Sequence, residues 1–290
     1  MTSTPQDIQH SLEAASRQLI QAGLVDSPKL DAELLLAHAL EANRTYLYTW
    51  SDKHLTDAQL TAFHRLLSQR LSGHPIAHIL GEREFWGLSL KVTADTLIPR
   101  PDTETLVETA LELQTEDNQV WSFLDLGTGT GAIGLALKSE LPNSQVTAID
   151  YSTAALEVAR QNAKTHNLEI RFLQSDWFSA LSEQANPPLY HCIVSNPPYI
   201  EESDPHILEG DVRFEPLSAL TSGADGLEDI RTITQQAWQY LAPNGWLLIE
   251  HGYHQAEDVA EIFKANHYQS IRLVKDLGGN PRVTLGQKQT

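Results

Sequence analysis

Hydrophobic positions in the first 80 residues repeat with the spacing of α-helices. Three such stretches occur, at residues 4–23, 27–39 and 56–73, and each has apolar residues three or four positions apart. Thr4-Pro5 and Ser27-Pro28 are typical helix N-termini, because a hydroxyl caps the helix and proline fits its first turn. The short connections predict a compact helical bundle over residues 1–80.

A different pattern occupies residues 81–95. Four apolar residues flank Gly87 at the spacing of a β-hairpin: Phe85, Leu88, Leu90 and Val92. We interpret this hairpin as a linker between two domains, and a further helix is predicted over residues 102–113.

From residue 120 onward, strand-like and helical patterns alternate. Apolar runs that predict strands lie at 120–126, 145–150, 170–174, 191–195 and 246–250. Helical patterns lie at 132–139, 153–166 (capped by Ser152) and 227–241. This alternation predicts an α/β fold for residues 96–290, with a mostly parallel sheet covered by helices on both faces. Residues 270–275 and 282–285, around Gly278-Gly279-Asn280, predict a closing antiparallel hairpin.

The composition favours a cytosolic globular protein. Hydrophobic residues make up 41% of the chain, and no apolar run approaches the roughly 18 residues that span a bilayer. The opening MTSTPQDIQH does not resemble a signal peptide. With a single cysteine, Cys192, no internal disulfide can form.

The net charge of −18 argues against binding to nucleic acid, because phosphate contacts supply most of that affinity. Between residues 196 and 230 the only base is Arg213. The same segment carries nine acids: Glu201, Glu202, Asp204, Glu209, Asp211, Glu215, Asp225, Glu228 and Asp229. We expect neither a nucleic-acid nor a membrane partner.

A glycine-rich loop follows the first strand of the predicted sheet. Ligands of open α/β sheets bind at the carboxyl ends of strands, where such a loop allows close approach of the backbone. Gly129-x-Gly131-x-x-Gly134 matches a dinucleotide-binding fingerprint, whereas Asp125-x-Gly127-x-Gly129-x-Gly131 resembles the loop of S-adenosylmethionine-dependent methyltransferases. Asp150, at the end of the next strand, suits a ribose diol in either case.

The fourth strand ends in Asn196-Pro197-Pro198-Tyr199, on the same edge of the sheet as the glycine loop. Two prolines cannot continue a central strand, and they restrict the backbone around Asn196 and Tyr199. The stretch resembles the Asn-Pro-Pro-Tyr motif of methyltransferases that act on planar nitrogen. In that interpretation the Asn196 side-chain oxygen and the Pro197 carbonyl accept the two N–H bonds of the substrate, and Tyr199 offers a flat face.

The motif alone leaves adenine N6, cytosine N4, guanine N2 and glutamine N5 open as acceptors. A longer resemblance narrows this choice. Six stretches resemble the bacterial peptide chain release factor glutamine N5-methyltransferase family: TLIPRPDTE (96–104), FLDLGTGTGAIGLAL (123–137), SDWFSAL (175–181), SNPPYIEESDPH (195–206), GDVRFEPLSAL (210–220) and RVTLG (282–286).

This resemblance implies a Rossmann-like class I methyltransferase domain that uses S-adenosylmethionine. It also implies methylation of the glutamine in the Gly-Gly-Gln motif of class I release factors, with residues 1–80 contacting that protein. The implied cofactor contacts are Gly127, Thr128, Gly129, Thr130, Gly131, Asp150, Trp177 and Asn196. The implied substrate contacts are Asn196, Pro197, Pro198 and Tyr199, of which Asn196, Pro197 and Tyr199 would be catalytic.

Four other functions fit the sequence less well. A related enzyme methylates a glutamine of a large-subunit ribosomal protein, but its family pattern departs from the one that residues 99–104 keep around Asp102. A nucleic-acid amino-methyltransferase is disfavoured by the charge, and a nicotinamide-dependent oxidoreductase gives Asn-Pro-Pro-Tyr no task. The fourth alternative is a cofactor-binding protein without enzymatic activity. We expect a monomer.

Several residues outside these motifs carry no clear chemistry. The pairs His74/His78 and His251/His254 lack a third metal ligand, so no metal is expected. Cys192 lies inside a predicted strand as an inert apolar residue. Arg100 is interpreted as facing the cleft or linking the domains, and His251 as structural or as lining the pocket.

Overall fold

A computed structural model describes residues 7–114 and 119–289. The chain divides into two compact units, Met1–Gly81 and Glu82–Thr290. Among the described residues, no helix combines the length and apolar character that a membrane span requires.

The described part of the first unit is helical, as predicted. Its helices are α1 (Ile8–Gln21), α2 (Pro28–Ala39), α3 (Arg44–Thr49), α4 (Asp57–Leu71) and α5 (Ile76–Leu80). Neither α3 nor α5 was predicted, because helices of six and five residues are too short to show a period.

The helix α1 begins at Ile8. Thr4-Pro5 lies outside the described residues, and the cap is Asp7, whose carboxylate accepts the His10 N–H at 2.8 Å. The helix α4 begins as predicted, because Thr56 and Gln59 form a reciprocal capping box. In the interior of the first unit, the Arg70 guanidinium donates to the Asp31 carboxylate at 2.7 Å. Two charges are thus paired where water has little access.

The second unit contains a two-stranded hairpin and a seven-stranded sheet. The hairpin pairs β1 (Glu82–Phe85) with β2 (Leu88–Lys91), as the sequence predicted. Its Phe85 and Leu90 are buried in the hydrophobic core of the second unit.

The large sheet confirms the predicted fold class. Its strands are β3 (Ser122–Leu126), β4 (Gln145–Asp150), β5 (Arg171–Gln174), β6 (Tyr190–Ser195), β7 (Leu241–Glu250), β8 (Gln269–Lys275) and β9 (Pro281–Gln287). Their order is β5-β4-β3-β6-β7-β9-β8, parallel from β5 to β7 and antiparallel at β9 and β8. The strand order reverses between β3 and β6, the position at which ligands of such sheets bind.

Helices cover the sheet and connect its strands. They are α6 (Glu104–Glu112), α7 (Ala132–Glu140), α8 (Thr153–Thr165), α9 (Ser179–Ser182), α10 (Glu228–Ala237) and α11 (Ala256–Ala265). Single 3-10 turns occur at Pro101–Thr103, Pro205–Leu208, Val212–Phe214 and Leu217–Ala219. The helices α9 and α11 and these 3-10 turns were not predicted individually.

The prediction of a helix over 227–241 was wrong at its C-terminal end. The helix α10 stops at Ala237, and β7 begins at Leu241 rather than at Trp246. Tyr190 donates its N–H to the Tyr240 carbonyl at 2.8 Å, so the chain joins the sheet before Pro243. Tyr240 and Leu241 are buried and apolar, and apolar spacing alone does not distinguish a helix end from a strand start.

Candidate active site

The register of the sheet brings the two predicted motifs together. Leu126 of β3 pairs with Ser195 of β6, so Gly127 and Asn196 leave the sheet side by side. They open onto a cavity of about 460 Å³, within the usual size range of small-molecule sites. Six of the predicted site residues line it: Gly127, Gly129, Asp150, Trp177, Asn196 and Pro198.

The glycine loop adopts a left-handed backbone at alternate residues. Gly127, Gly129 and Gly131 have φ of +70°, +55° and +86°. L residues with a side chain rarely occupy this region. A Cβ on Gly129 would meet nothing within 4 Å, so its backbone faces the cavity openly. A Cβ on Gly131 would lie 3.1 Å from Leu135 Cδ1, so this glycine serves the packing of α7.

Asp125 fixes the shape of the loop from below. Its Oδ2 accepts the Thr128 hydroxyl at 2.5 Å and the Gly134 N–H at 3.0 Å. Full burial raises the pKa of Asp125 to about 6, partly offset by these two hydrogen bonds. The carboxylate therefore binds the loop to the first turn of α7.

Asp150 lies at the end of β4 and holds the loop from the side. Its two oxygens accept backbone N–H groups of Gly129 at 2.8 Å and Ser152 at 2.9 Å. Burial raises the pKa of Asp150, although these bonds favour its ionised form. A carboxylate has about four acceptor positions, so Asp150 retains capacity for two hydroxyl donors in the cavity.

Trp177 forms a wall of the cavity. Its indole N–H donates to Asp229 Oδ1 at 3.1 Å, which orients the ring. A Cβ on Gly127 would lie 3.6 Å from Trp177 Cζ3, so the ring packs directly over the loop. The arrangement presents an aromatic face to a planar ligand group.

The remaining predicted loop residues lie slightly apart. Thr128 and Thr130 do not line the large cavity, but they line a neighbouring one of about 50 Å³. Asn196 lines both cavities and therefore marks their boundary. The Thr130 carbonyl accepts an N–H of Asn162 at 2.9 Å, which ties the loop to α8.

The Asn-Pro-Pro-Tyr segment is held mainly by its backbone. Tyr199 donates its N–H to the Leu220 carbonyl at 3.2 Å, and its carbonyl accepts from Gln255 Nε2 at 3.0 Å. Burial raises the pKa of the Tyr199 hydroxyl, so it is neutral at physiological pH. Pro197 is buried, and neither Pro197 nor Tyr199 lines the large cavity.

Arg100 pairs with Glu215 inside the second unit. The Glu215 side chain also accepts the Ile98 N–H at 2.9 Å, so one buried carboxylate holds two groups of the 96–104 segment. The adjoining residues Leu97 and Pro216 line the large cavity. This pair therefore joins two walls of the site, a role that the sequence did not reveal.

Glu250, at the end of β7, is a second residue that sequence reasoning missed. It is 1% exposed, and burial raises its pKa to about 7, partly offset by hydrogen bonding with Thr103 and by the charge of Arg282. Thr103 in turn contacts Asn196, which donates from Nδ2 to Thr103 Oγ1 at 3.2 Å. An acid that ends an apolar strand at the ligand edge was the available signal.

The other candidate residues have structural surroundings. His251 is fully buried between the Gly252 carbonyl at 2.9 Å and the Thr284 hydroxyl at 2.8 Å, and it does not line the cavity. Burial lowers its pKa and raises that of the Cys192 thiol, so both stay neutral. Among residues 7–114 and 119–289, no three His, Cys, Asp or Glu side chains are grouped as metal ligands.

Fold and site together define a class I, S-adenosylmethionine-dependent methyltransferase. The family model described as "Methyltransferase small domain" matches residues 102–209, and the one described as "PrmC N-terminal domain" matches residues 10–81. A solved structure of a methyltransferase from Pyrococcus furiosus superposes with a TM-score of 0.52 over 77% of this chain and 98% of that one. At 18% identity this likeness concerns the fold alone.

Full-length relatives identify the family. The chain is 52% identical to a release factor glutamine methyltransferase of Vibrio cholerae, over 98% of this chain and 97% of that protein. It is 48% identical to one of Escherichia coli, over 97% of this chain and 99% of that protein. The chain belongs to the release factor glutamine methyltransferase family.

Proposed function

We propose that this chain transfers a methyl group from S-adenosylmethionine to the side-chain amide nitrogen of glutamine in the Gly-Gly-Gln motif of class I peptide chain release factors. The observation that carries the proposal is the position of Asn196. Its amide lies beside the glycine loop, at the boundary of the cavity that suits the cofactor.

The residues of the large cavity fit the parts of S-adenosylmethionine. Asp150 would accept the two ribose hydroxyls, and Trp177 would pack against the adenine. The open backbone of Gly129 allows close approach. When bound, S-adenosylmethionine supplies a methyl group on a positively charged sulfur.

Asn196 and Pro197 would act on the substrate nitrogen. The lone pair of an amide nitrogen is delocalised into its carbonyl, so it is a weak nucleophile. The Asn196 oxygen and the Pro197 carbonyl would accept its two N–H bonds, which orients the nitrogen and favours the charge that develops on it. No strong base is needed, because the proton leaves after the new N–C bond has formed.

The N-terminal unit would recognise the protein substrate. This assignment rests on the family, since the "PrmC N-terminal domain" model matches residues 10–81. We propose further that the chain acts as a monomer in the cytosol and does not bind nucleic acid directly, in keeping with its net charge of −18.

The test is methyl transfer from labelled S-adenosylmethionine. Four acceptors are compared: an unmodified release factor, the same factor with Gln replaced by Ala in Gly-Gly-Gln, an isolated large-subunit ribosomal protein, and duplex DNA. We expect label only on the first. Label on DNA alone would refute the proposal, and efficient labelling of an isolated large-subunit ribosomal protein in preference to the release factor would favour the related activity instead.

The variant Asn196→Ala tests the proposed mechanism. We expect at least a 100-fold loss of kcat, the usual effect of removing an aligned polar group at the reacting centre. Binding of S-adenosylmethionine, measured by calorimetry, should change by only a few-fold. Asn143→Ala removes an exposed asparagine of the same unit and serves as the matched control. Full activity of folded Asn196→Ala would show that the mechanism is wrong.

A further inference from the structure

The backbone of Tyr199 is held by groups from outside the Asn-Pro-Pro-Tyr segment. Its N–H donates to the Leu220 carbonyl at 3.2 Å, and its carbonyl accepts from Gln255 Nε2 at 3.0 Å. Gln255 is 3% exposed, directly precedes α11 and lies 56 residues further along the chain. The carboxyl end of the segment is therefore fixed by a buried side chain that follows β7.

The partners of the Gln255 amide allow it only one orientation. Its Oε1 accepts the Gly252 N–H at 2.9 Å. Its Nε2 donates to the Tyr199 carbonyl and also, at 3.4 Å, to the Gly226 carbonyl. Because an amide oxygen only accepts and an NH2 group only donates, rotation of the amide by 180° would lose all three bonds.

Gly226 leaves the Tyr199 carbonyl little room to move. A Cβ at Gly226 would overlap with the Tyr199 carbonyl oxygen and would lie 2.9 Å from Gln255 Nε2. The Tyr199 carbonyl thus lies between the Gly226 backbone and its hydrogen bond to Gln255. Pro197 and Pro198 connect it to Asn196, and each proline ring fixes its own φ, so a shift at Tyr199 would be passed on to the Asn196 segment.

We propose that Gln255 is a positioning residue, which fixes the Tyr199 carbonyl and thereby holds the acceptor groups of Asn196 and Pro197 against the substrate glutamine. This inference rests on the proposed function, since the substrate nitrogen defines what is positioned. Gln255 lies outside the set of residues that line the large cavity, so we expect it to affect the reaction rather than cofactor binding. A displacement of about 1 Å at a reacting centre can lower the rate about 100-fold.

The variant Gln255→Glu separates the donor from the shape of the side chain. It keeps the size and the oxygen that accepts from Gly252, but a carboxyl oxygen replaces the NH2 group. When protonated, this oxygen can donate to the Tyr199 carbonyl; when ionised, it faces two carbonyls without a hydrogen. The variant should therefore be active while its carboxyl is neutral and impaired once it is charged.

The surroundings of position 255 place this ionisation within reach of an assay. The ionisable side chains within two residues of the four hydrogen-bonded partners are Tyr199, Glu201, Asp225, Glu228, Glu250, His251, Tyr253, His254 and Glu257. The cations that act on these groups, Arg231 and Arg282, already pair with Asp225 and Asp276. Burial and the negative charge both raise the pKa of a carboxyl introduced here.

The kinetic test measures kcat relative to the wild type at each pH. We expect this ratio for Gln255→Glu to fall at least about tenfold as the pH is raised from about 6 to about 9, the equivalent of roughly one buried hydrogen bond. Gln255→Met keeps the length of the side chain without the donor, and it should lower kcat by about tenfold or more at every pH. In both variants the KM for the release factor and the Kd of S-adenosylmethionine should change by less than about threefold. Gln235→Glu, the same change at an exposed position of α10, is the matched control and should behave as the wild type.

An activity-independent measurement follows the Tyr199 carbonyl by NMR. Tyr199 is the only tyrosine of the chain that is followed by isoleucine. Carbon-13 in tyrosine carbonyls and nitrogen-15 in isoleucine therefore give a single correlated signal, from Tyr199 and Ile200. Because loss of a hydrogen bond shields a carbonyl carbon, we expect this signal to move upfield in Gln255→Met and, as the pH rises, in Gln255→Glu. It should stay in place in Gln235→Glu.

Three results would overturn the inference. The first is wild-type kcat in Gln255→Met that near-ultraviolet circular dichroism shows to be folded. The second is a kcat ratio for Gln255→Glu that does not fall as the pH is raised, and the third is a Tyr199 carbonyl signal that is the same in the wild type and in Gln255→Met. If the wild type methylates no release factor while the carbonyl signal responds as expected, the proposed function fails and the contact between Gln255 and Tyr199 stands.

Discussion

Replacing Glu250 with glutamine should make the protein more stable, and increasingly so at high pH. Glu250 is 1% exposed, and its pKa is raised from 4.5 to about 7, mainly by burial. A pKa difference of one unit corresponds to about 1.4 kcal/mol. The ionised side chain therefore lowers the free energy of unfolding by about 3 kcal/mol relative to its protonated form.

The sign follows from linkage. Stability from the protonated group is fully present below pH 4.5, the unfolded value, and is lost as the pH rises to about 7, the folded value. The loss is about 1 kcal/mol at pH 5.5 and about 3 kcal/mol at pH 8.5. Glutamine does not titrate, so the advantage of Glu250→Gln should grow by about 2 kcal/mol between these two pH values. Other titrating groups are common to both proteins and cancel.

Guanidinium unfolding followed by tryptophan fluorescence measures this difference. Five of the six tryptophans lie in the second unit, at positions 86, 121, 177, 238 and 246, so the signal reports mainly on the unit that contains Glu250. Glu183→Gln, at an exposed position of the same unit, is the control. Its stability difference from the wild type should be the same at both pH values. An advantage of Glu250→Gln that is equal at pH 5.5 and 8.5 would refute the reasoning.

Two further changes test other parts of the structure. Asp150→Asn should weaken S-adenosylmethionine binding at least tenfold in calorimetry, because an amide cannot replace both acceptor oxygens that hold Gly129 and Ser152; an unchanged Kd would count against the proposed ribose contact. Gly286→Ala should lower the free energy of unfolding by about 1–3 kcal/mol, because the new Cβ would lie 2.7 Å from Phe263 Cδ1 and 2.9 Å from Tyr268 Cβ. An unchanged thermal midpoint would show that the Phe263 and Tyr268 side chains make room for the new Cβ without loss of stability.

The site residues at the strand ends could be identified from the sequence. Asp150 and Asn196 each follow an apolar strand, and the carboxyl ends of parallel strands share one edge of a sheet. Their convergence required only the strand boundaries. The glycine loop between them left a dinucleotide and S-adenosylmethionine open, and the Asn-Pro-Pro-Tyr motif with the wider family resemblance decided between the two.

The roles of Thr103, Glu215 and Glu250 could not be identified from the sequence in this way. Thr103 meets Asn196 across 93 residues, and Glu215 meets Ile98 across 117. No local period encodes such contacts, because they depend on how loops return to the sheet. The misplaced start of β7 has the opposite cause, since local apolar spacing there suited two kinds of secondary structure equally well.

The Glu215 side chain accepts the Ile98 N–H and pairs with Arg100, and these contacts have a consequence for a chain emerging from the ribosome. The glycine loop and Asp150 are synthesised early in the second unit, but the carboxylate that joins the two cavity walls follows Ile98 by 117 residues. A nascent chain thus contains the glycine loop well before Glu215 is available to join the two walls of the cavity. The contact that joins the two cavity walls can therefore form only after the strand β6 and the Asn196 segment have been synthesised.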